Sequence, residues 1–228
     1  MKKLALISIP LTLALLAVSS YLALVVAPTE ATMGNVQRIF YYHVPSAWVA
    51  GFCFFLNFVA SIWYLWKRSP ASDALAASSA EVGVVFCAVL LIEGTLWARP
   101  VWGIWWTWDA RLTTTLVLWL IYVSYLVLRR FSAGQTQVMA ATLAIFAFAD
   151  VPIVYMSIRW FRTQHPSPVM GGGENSGLDP AMLHVFLTNL GLFTVLGVLF
   201  IWLRYKLQTA EEALESAHAQ AALKGVSQ

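Results

Sequence analysis

The chain has 228 residues, of which 60% are hydrophobic and only 11% are charged. A soluble domain carries about 25% charged residues, so this composition is typical of a membrane protein. The net charge of +3 is small and the basic residues are dispersed, which argues against nucleic acid as a partner.

Six segments are predicted to cross the bilayer. Runs without Asp, Glu, Lys or Arg occupy residues 4–29, 44–66, 112–128 and 182–203. About 20 residues of helix span the hydrocarbon core, and the spans must be helical because lipid offers no partner for free backbone groups. The sequence therefore predicts an all-α polytopic membrane protein with spans at 4–27, 44–66, 79–98, 112–130, 135–158 and 182–204.

The first span also has features of a secretory signal peptide. Lys2 and Lys3 precede an apolar stretch that leads to the small residues Ser19 and Ser20. The apolar stretch continues to Ala27, which is long for a signal peptide and favours an uncleaved anchor. The rest of the topology is the same under both interpretations.

Basic residues near the span ends predict the orientation, because they are enriched on the cytoplasmic side. The side predicted to be cytoplasmic receives Lys2, Lys3, Lys67, Arg68, Arg129, Arg130, Arg204 and Lys206. The other side receives Arg38, Arg99, Arg111, Arg159 and Arg162. Both termini are thus predicted in the cytoplasm. Residues 1–206 would form the membrane domain, with an outer tryptophan-rich loop at about 99–111, and residues 207–228 a cytoplasmic helical tail.

The outer loop contains the most unusual stretch of the chain, WGIWWTWDARLTT at residues 102–114. An interfacial aromatic belt needs only one or two tryptophans at a helix end, whereas indole faces can stack on a flat ligand that Gly103 would let approach the backbone. Asp109 is predicted to cap the helix that begins at Ala110. The candidate ligand platform consists of Trp102, Trp105, Trp106, Trp108 and Asp109, with Arg111 beside it.

Two histidines occupy matching positions, His43 at the outer start of the second span and His184 at the outer start of the sixth. Two such imidazoles could face one another and bind a metal ion or both axial positions of a haem iron. The alternative is that each is an interfacial residue without a ligand. His165 is a weaker candidate, because it lies in a segment rich in proline and glycine.

Two acidic residues, Glu93 and Asp150, lie in the outer third of their spans, where a carboxylate is costly and usually indicates function or pairing. They could accept the free ring N–H of a ligand histidine. They could equally form internal ion pairs with Arg99 or Arg159. Glu81 lies near the inner interface and needs no special role.

Several chemical classes lack their sequence signatures. Cys53 and Cys87 are single residues in apolar runs, without CxxC, CxxCH or metal-ligand spacing, so we interpret both as core residues. The chain contains no HExxH and no GxxxxGK[ST] motif. It is therefore not predicted to be an enzyme, and any ATP-driven step would belong to a partner.

The stretch WGIWWTWDARLTT resembles the signature of the tryptophan-rich WWD haem-handling membrane proteins, and among them the CcmC, or haem exporter protein C, family of cytochrome c maturation. Other branches tend to follow the WxWD core with a proline and an acidic residue, whereas this chain continues WDARLT. The resemblance covers nearly the whole chain, including its length, six spans and outer histidines.

This resemblance implies a multi-pass inner-membrane protein that binds haem b non-covalently at the outer, periplasmic face. The iron would be held by the positions matching His43 and His184, above the tryptophan platform. It also implies delivery of haem to the periplasmic haem chaperone CcmE, and association with the small membrane subunit CcmD and with the transporter subunits CcmA and CcmB. The alternatives are a transporter for another small molecule and an electron-transfer protein that keeps its haem.

Overall fold

The computed structural model describes residues 2–131, 136–169 and 177–226. These residues contain the helices α1 (Lys2–Tyr21), α2 (Phe40–Lys67), α3 (Pro70–Trp102), α4 (Ala110–Phe131), α5 (Thr136–Phe148), α6 (Asp150–Trp160) and α7 (Pro180–Val226). A π-helical turn, Leu22–Val26, continues α1, and a 3₁₀ turn, Asn35–Ile39, leads into α2.

Six helical segments in the described residues are long and apolar enough to cross a membrane: Leu6–Val26, Asn35–Lys67, Pro70–Trp102, Ala110–Phe131, Thr136–Trp160 and Pro180–Ala222. The predicted all-α polytopic fold with six spans is therefore confirmed. The fifth span consists of α5 and α6 and is interrupted at Ala149. Pro152 explains the interruption, because a proline cannot donate to the carbonyl four residues earlier and its ring clashes with it.

Several span boundaries differ from the prediction. Helix α3 begins at Pro70 rather than at residue 79, because proline is favoured in a first helical turn and the following small polar residues are buried in the bundle. The predicted start of the fifth span, residue 135, lies outside the described residues. The last predicted span, 182–204, lies within α7, which continues to Val226 without interruption. The predicted tail is thus helical, but no loop separates it from the sixth span.

Helix α2 lies at the centre of the bundle and packs against α3, α5 and α7. The core between these helices includes a stacked aromatic pair, in which the rings of Phe54 and Tyr122 are 3.8 Å apart. Cys53 and Cys87 are both buried and free in this core, as predicted. Helix α1 packs chiefly on α7 and leaves most of its side chains exposed, which suits a peripheral helix in contact with lipid.

The two ends of the bundle differ in character. We call the end that carries residues 103–109 the tryptophan end. The other end, called here the opposite end, is held by ion pairs. The guanidinium of Arg129 in α4 donates to both oxygens of Asp73 in α3, at 2.6 and 2.8 Å. Arg204 in α7 binds both oxygens of Glu81 in α3. Glu81 therefore joins α3 to α7, a structural role that was not predicted from the sequence.

Arg129→Ala tests the first of these ion pairs. The substitution leaves the buried Asp73 carboxylate without its partner, so we expect the free energy of unfolding to fall by about 3–5 kcal/mol. Thermal unfolding of the purified protein in detergent measures the loss. The double variant Asp73→Ala/Arg129→Ala should be more stable than Arg129→Ala, because it removes both charges.

Glu211→Ala is the matched control. Glu211 pairs with Arg204 at 3.3 Å, but its side chain is 50% exposed, so its loss should cost less than about 1 kcal/mol. An Arg129→Ala variant no less stable than Glu211→Ala would contradict the assigned role of the buried pair.

Candidate functional site

The tryptophan loop is shorter than predicted and spans residues 103–109 rather than 99–111. Helix α3 continues through Pro100 to Trp102, so Trp102 is the last residue of a helix and not part of the loop. Gly103 ends the helix in the left-handed region, at φ 79°, a conformation that favours glycine. The side chain of Arg99 donates to the Gly103 carbonyl and fixes the turn. Gly103 is thus explained by the helix end itself.

Asp109 ends the loop and has two separate partners. Its Oδ1 accepts the backbone N–H of Arg111 at 2.9 Å, which confirms the predicted cap of α4. Its Oδ2 accepts the backbone N–H of Gln164 at 2.9 Å, across 55 residues of sequence. One carboxylate therefore joins the start of α4 to the segment after α6, which we call the 161–169 segment.

The electrostatics of Asp109 agree with this geometry. Burial by itself would raise the pKa of this carboxyl, but the Thr163 hydroxyl and the N–H groups of Arg111 and Gln164 hold the pKa below its usual range. The carboxylate is therefore ionised at neutral pH, and both of its oxygens act as acceptors.

The four predicted platform tryptophans have two different environments. Trp105 and Trp108 are 57% and 77% exposed. Trp106 lies nearly perpendicular to Trp108, at 81°, and its buried N–H has no partner in the described residues. Trp102 packs edge-on against Trp97 in α3, with ring centres 5.2 Å apart. The four rings therefore do not form one flat platform: two present themselves outward and two pack inward.

Arg111, in the first turn of α4, is directed into the protein. Its Nε donates to the Ser157 hydroxyl at 3.0 Å, and one terminal nitrogen donates to the Tyr155 carbonyl at 2.9 Å. These bonds tie α4 to α6. The guanidinium nevertheless lies close enough to His43 and His165 to interact with both electrostatically. Arg111 thus belongs to the site, but much of its donor capacity is already used.

His43, in the first turn of α2, lies against α3. A Cβ built at Gly94 would be 3.3 Å from its Cε1 and 4.0 Å from its Nδ1, so a larger residue there would require the ring to shift by a few tenths of an ångström. The Nδ1 atom is buried and forms no hydrogen bond of full geometry among the described residues, although the ring lies beside the Leu90 carbonyl of α3, a backbone acceptor. The titratable side chains that interact electrostatically with His43 are those of His165 and Arg111.

His165, in the 161–169 segment, is held in a defined tautomer. Its Nδ1 lies 2.9 Å from the Pro166 carbonyl, which can only accept, so Nδ1 carries the proton and Nε2 keeps a free lone pair. Burial lowers the pKa of His165, and the nearby Arg111 lowers it further, against the raising effects of the Pro166 carbonyl and Asp109. The ring is therefore neutral at physiological pH, the form that binds metals.

The histidine pair that the structure brings together is not the one favoured from sequence. His184 is exposed on α7, while its neighbours Val185 and Phe186 point into the bundle. Within the described residues, no contact joins its side chain to His43. His165, judged the weaker candidate, instead shares the surroundings of His43, because Asp109 holds its segment against the start of α4. Only the fold could reveal this long-range contact.

The acidic residues of the spans do not form the ion pairs considered from sequence. Within the described residues, neither Glu93 nor Asp150 forms a salt bridge, and each has one buried carboxyl oxygen without a hydrogen-bond partner. Arg99 is engaged with Gly103 and lies 6.0 Å from the ring centre of Trp105. The carboxyl of Glu93 instead lies beside Ser46 of α2.

An open cavity of about 380 Å³ adjoins the loop, lined by Thr107, Trp108, Asp109, Arg162, Thr163 and Gln164. Arg162 is exposed there, at the mouth of the site. Arg38, by contrast, donates to the Ala23 carbonyl at 2.8 Å and to Asn35 at 3.2 Å. Of these two arginines at the tryptophan end, Arg162 is the one available to a ligand.

The candidate site combines two histidines, exposed tryptophans and arginines. In the described residues, no three His, Cys, Asp or Glu side chains are grouped as metal ligands. Two histidines near exposed indole faces are compatible with a metal that a macrocycle already binds through four ligands of its own. The buried polar atoms without partners include five at this end of the bundle, in His43, Glu93, Trp106, Thr107 and Thr113.

Comparisons with known proteins identify the family of the chain. Residues 1–220 match the CcmC family, described as "Heme exporter protein C". A heme exporter protein C of Bradyrhizobium diazoefficiens is 36% identical over 82% of this chain and 72% of its own length. That of Haemophilus influenzae is 34% identical over 89% of this chain and 83% of its own length. A ccmC-like mitochondrial protein of Marchantia polymorpha, named for cytochrome c biosynthesis, is 31% identical over 82% of this chain and 80% of its own length. With its tryptophan loop, its six spans and a match over almost its whole length, the chain belongs to the CcmC, or haem exporter protein C, family of multi-pass membrane proteins.

Proposed function

We propose that this protein binds haem as cargo at the tryptophan end and delivers it for cytochrome c biogenesis. The observation that carries the proposal is the proximity of His43 and His165, which interact electrostatically, together with the hydrogen bond that joins the 161–169 segment to the tryptophan loop. The names of the relatives, which refer to haem export and cytochrome c biosynthesis, support haem as the cargo. The role is one of binding and handover, without a covalent step of its own.

His43 and His165 are the proposed axial ligands of the iron. His165 offers Nε2 as a lone-pair donor because its Nδ1–H is directed to the Pro166 carbonyl. His43 turns its Nδ1 edge towards α3, which leaves Nε2 for the iron. This pair replaces His43 and His184, the pair expected from sequence, because the imidazole of His184 is exposed on α7.

The exposed tryptophans would cover the macrocycle. Trp105 and Trp108 present large apolar surfaces to solvent or lipid, and stacking on a porphyrin would bury them at little side-chain entropy cost. Trp102 and Trp106 hold the loop in place from within, through their edge-on contacts with Trp97 and Trp108. The predicted platform thus divides into two contact residues and two supporting residues.

The haem propionates would be bound at the mouth of the cavity. Arg162 is exposed there beside Trp108 and can donate two parallel hydrogen bonds to a carboxylate. Arg111 contributes positive charge near the site, but part of its guanidinium is hydrogen-bonded to α6.

Handover is favoured by the way in which the second ligand is held. His165 lies in a segment without regular structure that Asp109 fixes by one backbone hydrogen bond. A partner that displaces this segment would remove one axial ligand without unfolding any helix. The proposed acceptor is the haem chaperone CcmE at the outer, periplasmic face of the inner membrane. CcmD, CcmA and CcmB would be further partners, the ATP-driven step belonging to them.

Single histidine substitutions test the ligand pair. Purified protein titrated with hemin in detergent should give the low-spin absorption spectrum of a bis-histidine haem. His43→Ala and His165→Ala should each abolish that spectrum, because each removes one axial ligand. His184→Ala is the matched control and should retain it.

Loss of the low-spin spectrum in His184→Ala, with retention in His165→Ala, would restore the pair expected from sequence. A Soret band unchanged in His43→Ala/His165→Ala would exclude this site altogether.

Asp109→Ala tests the bridge between the loop and the 161–169 segment. Loss of the cap should lower the free energy of unfolding by about 0.5–2 kcal/mol, and haem should bind more weakly because His165 loses its support. Because the pKa of Asp109 is lowered in the folded protein, its contribution is complete at neutral pH and is lost as the pH falls through that pKa. The difference in stability between the wild type and Asp109→Ala should therefore shrink on acidification, and a difference that grew would contradict the bridge.

Arg162→Ala tests the propionate contact. Losing a hydrogen bond to a charged group costs about 1.5–3 kcal/mol, so hemin affinity should fall about tenfold to hundredfold. Haem dimethyl ester lacks free carboxylates, and its affinity should be the same in the wild type and in Arg162→Ala. Arg130→Ala, which removes an exposed arginine at the opposite end, controls for net charge. Equal losses for hemin and for the ester would assign Arg162 a role other than carboxylate binding.

A further inference from the structure

Three buried polar groups with incomplete hydrogen bonding lie together where α2 faces α3. His43 and Ser46 are three residues apart on α2, and thus on one face of the helix. Glu93 of α3 interacts with Ser46, and its neighbour Gly94 makes room for the His43 ring. His43 Nδ1, Ser46 Oγ and Glu93 Oε2 are all buried, and none reaches a partner at full hydrogen-bond geometry among the described residues. The nearest acceptors are the Leu90 carbonyl of α3, beside the His43 ring, and the Ser46 hydroxyl, beside the Glu93 carboxyl.

This arrangement destabilises the folded protein unless a ligand completes the hydrogen bonds of these groups. An unsatisfied buried polar group costs about 1–3 kcal/mol, and an ionisable residue within a span is by default a functional one. The three groups are chemically complementary, since an imidazole N–H can donate, a hydroxyl can accept and donate, and a carboxyl oxygen can accept.

We infer that Glu93 and Ser46 are positioning residues for the axial ligand His43: with haem bound, His43 Nδ1–H donates to the Ser46 hydroxyl, which donates to the Glu93 carboxylate. The inference rests on the proposed haem-binding function and deepens it. The relay fixes the tautomer of His43, so that Nε2 always presents its lone pair to the iron.

The relay also makes the ligand a stronger electron donor. A histidine that donates its second N–H to a carboxylate, directly or through a hydroxyl, is more basic towards the metal. A more basic ligand stabilises ferric iron more than ferrous iron, so the relay lowers the reduction potential of the bound haem. His165 donates only to a neutral carbonyl, so the two axial ligands are unequal and His43 is the stronger one.

The test compares hemin affinity and midpoint potential in the full-length protein in detergent. The variants are Glu93→Gln, which keeps the shape and removes the charge, Glu93→Leu, which removes the acceptor, and Ser46→Ala, which interrupts the relay. Two substitutions serve as matched controls. Asp150→Asn alters another span carboxyl with an unpartnered oxygen, and Ser61→Ala alters another buried serine of α2 with an unpartnered hydroxyl.

We expect all three variants to keep a bis-histidine spectrum but to raise the midpoint potential. Ferric affinity should fall about tenfold to hundredfold, as is usual when the hydrogen-bond partner of a ligand is lost. A tenfold loss confined to the ferric state corresponds to a rise of about 59 mV. The two control variants should leave the potential at the wild-type value.

Midpoint potentials of Glu93→Gln and Ser46→Ala equal to the wild-type value would overturn the relay, even if Glu93→Leu fails to fold. A rise of the same size in Asp150→Asn would also overturn it, because the effect would then be one of general charge. Failure of the wild type to bind hemin through two histidines would overturn the proposed function together with the relay. The two failures are distinguishable, since only the former leaves a normal wild-type haem spectrum.

Discussion

The geometry of the site depends on one carboxylate. Asp109 uses one oxygen to begin α4 and the other to hold the backbone of Gln164, so a residue 55 positions away in the chain becomes a neighbour of the loop. Without this bridge the second histidine would belong to an unattached segment. A local capping interaction, which many helices have, thus also establishes a long-range contact of the site.

The polar groups buried at the two ends of the bundle have different partners. At the opposite end, Asp73 and Glu81 are neutralised by arginines of neighbouring helices, so their charges contribute to holding the bundle together. At the tryptophan end, His43 and Glu93 keep buried polar atoms without partners. Buried polar atoms without partners also occur towards the opposite end, at Asn57, Ser61 and Tyr125, but those of His43 and Glu93 lie beside the candidate site, where a ligand can complete their hydrogen bonding.

Much of the fold could be predicted from sequence, because uncharged runs of span length and the spacing of Asp109 before α4 depend on local chemistry. The early start of α3 could not, since the serines and Asp73 of its first turns look like loop residues until their partners on other helices are known. The orientation of His184 had a readable signal. Met182, Val185, Phe186 and Asn189 are buried at helical spacing, which turns His184 outward. No feature of the sequence indicates that His165 lies close to His43.

The length of helix α7 links the two ends of the bundle. At 47 residues it is about 70 Å long, more than twice the thickness of the hydrocarbon core. Its first turns pack through Val185 and Phe186 against Tyr41, two residues before His43. Its last turns project well beyond the bilayer, and no flexible joint lies between them within the described residues. The same helix that packs beside the first turn of α2 therefore also forms the surface that extends furthest beyond the other side of the bundle.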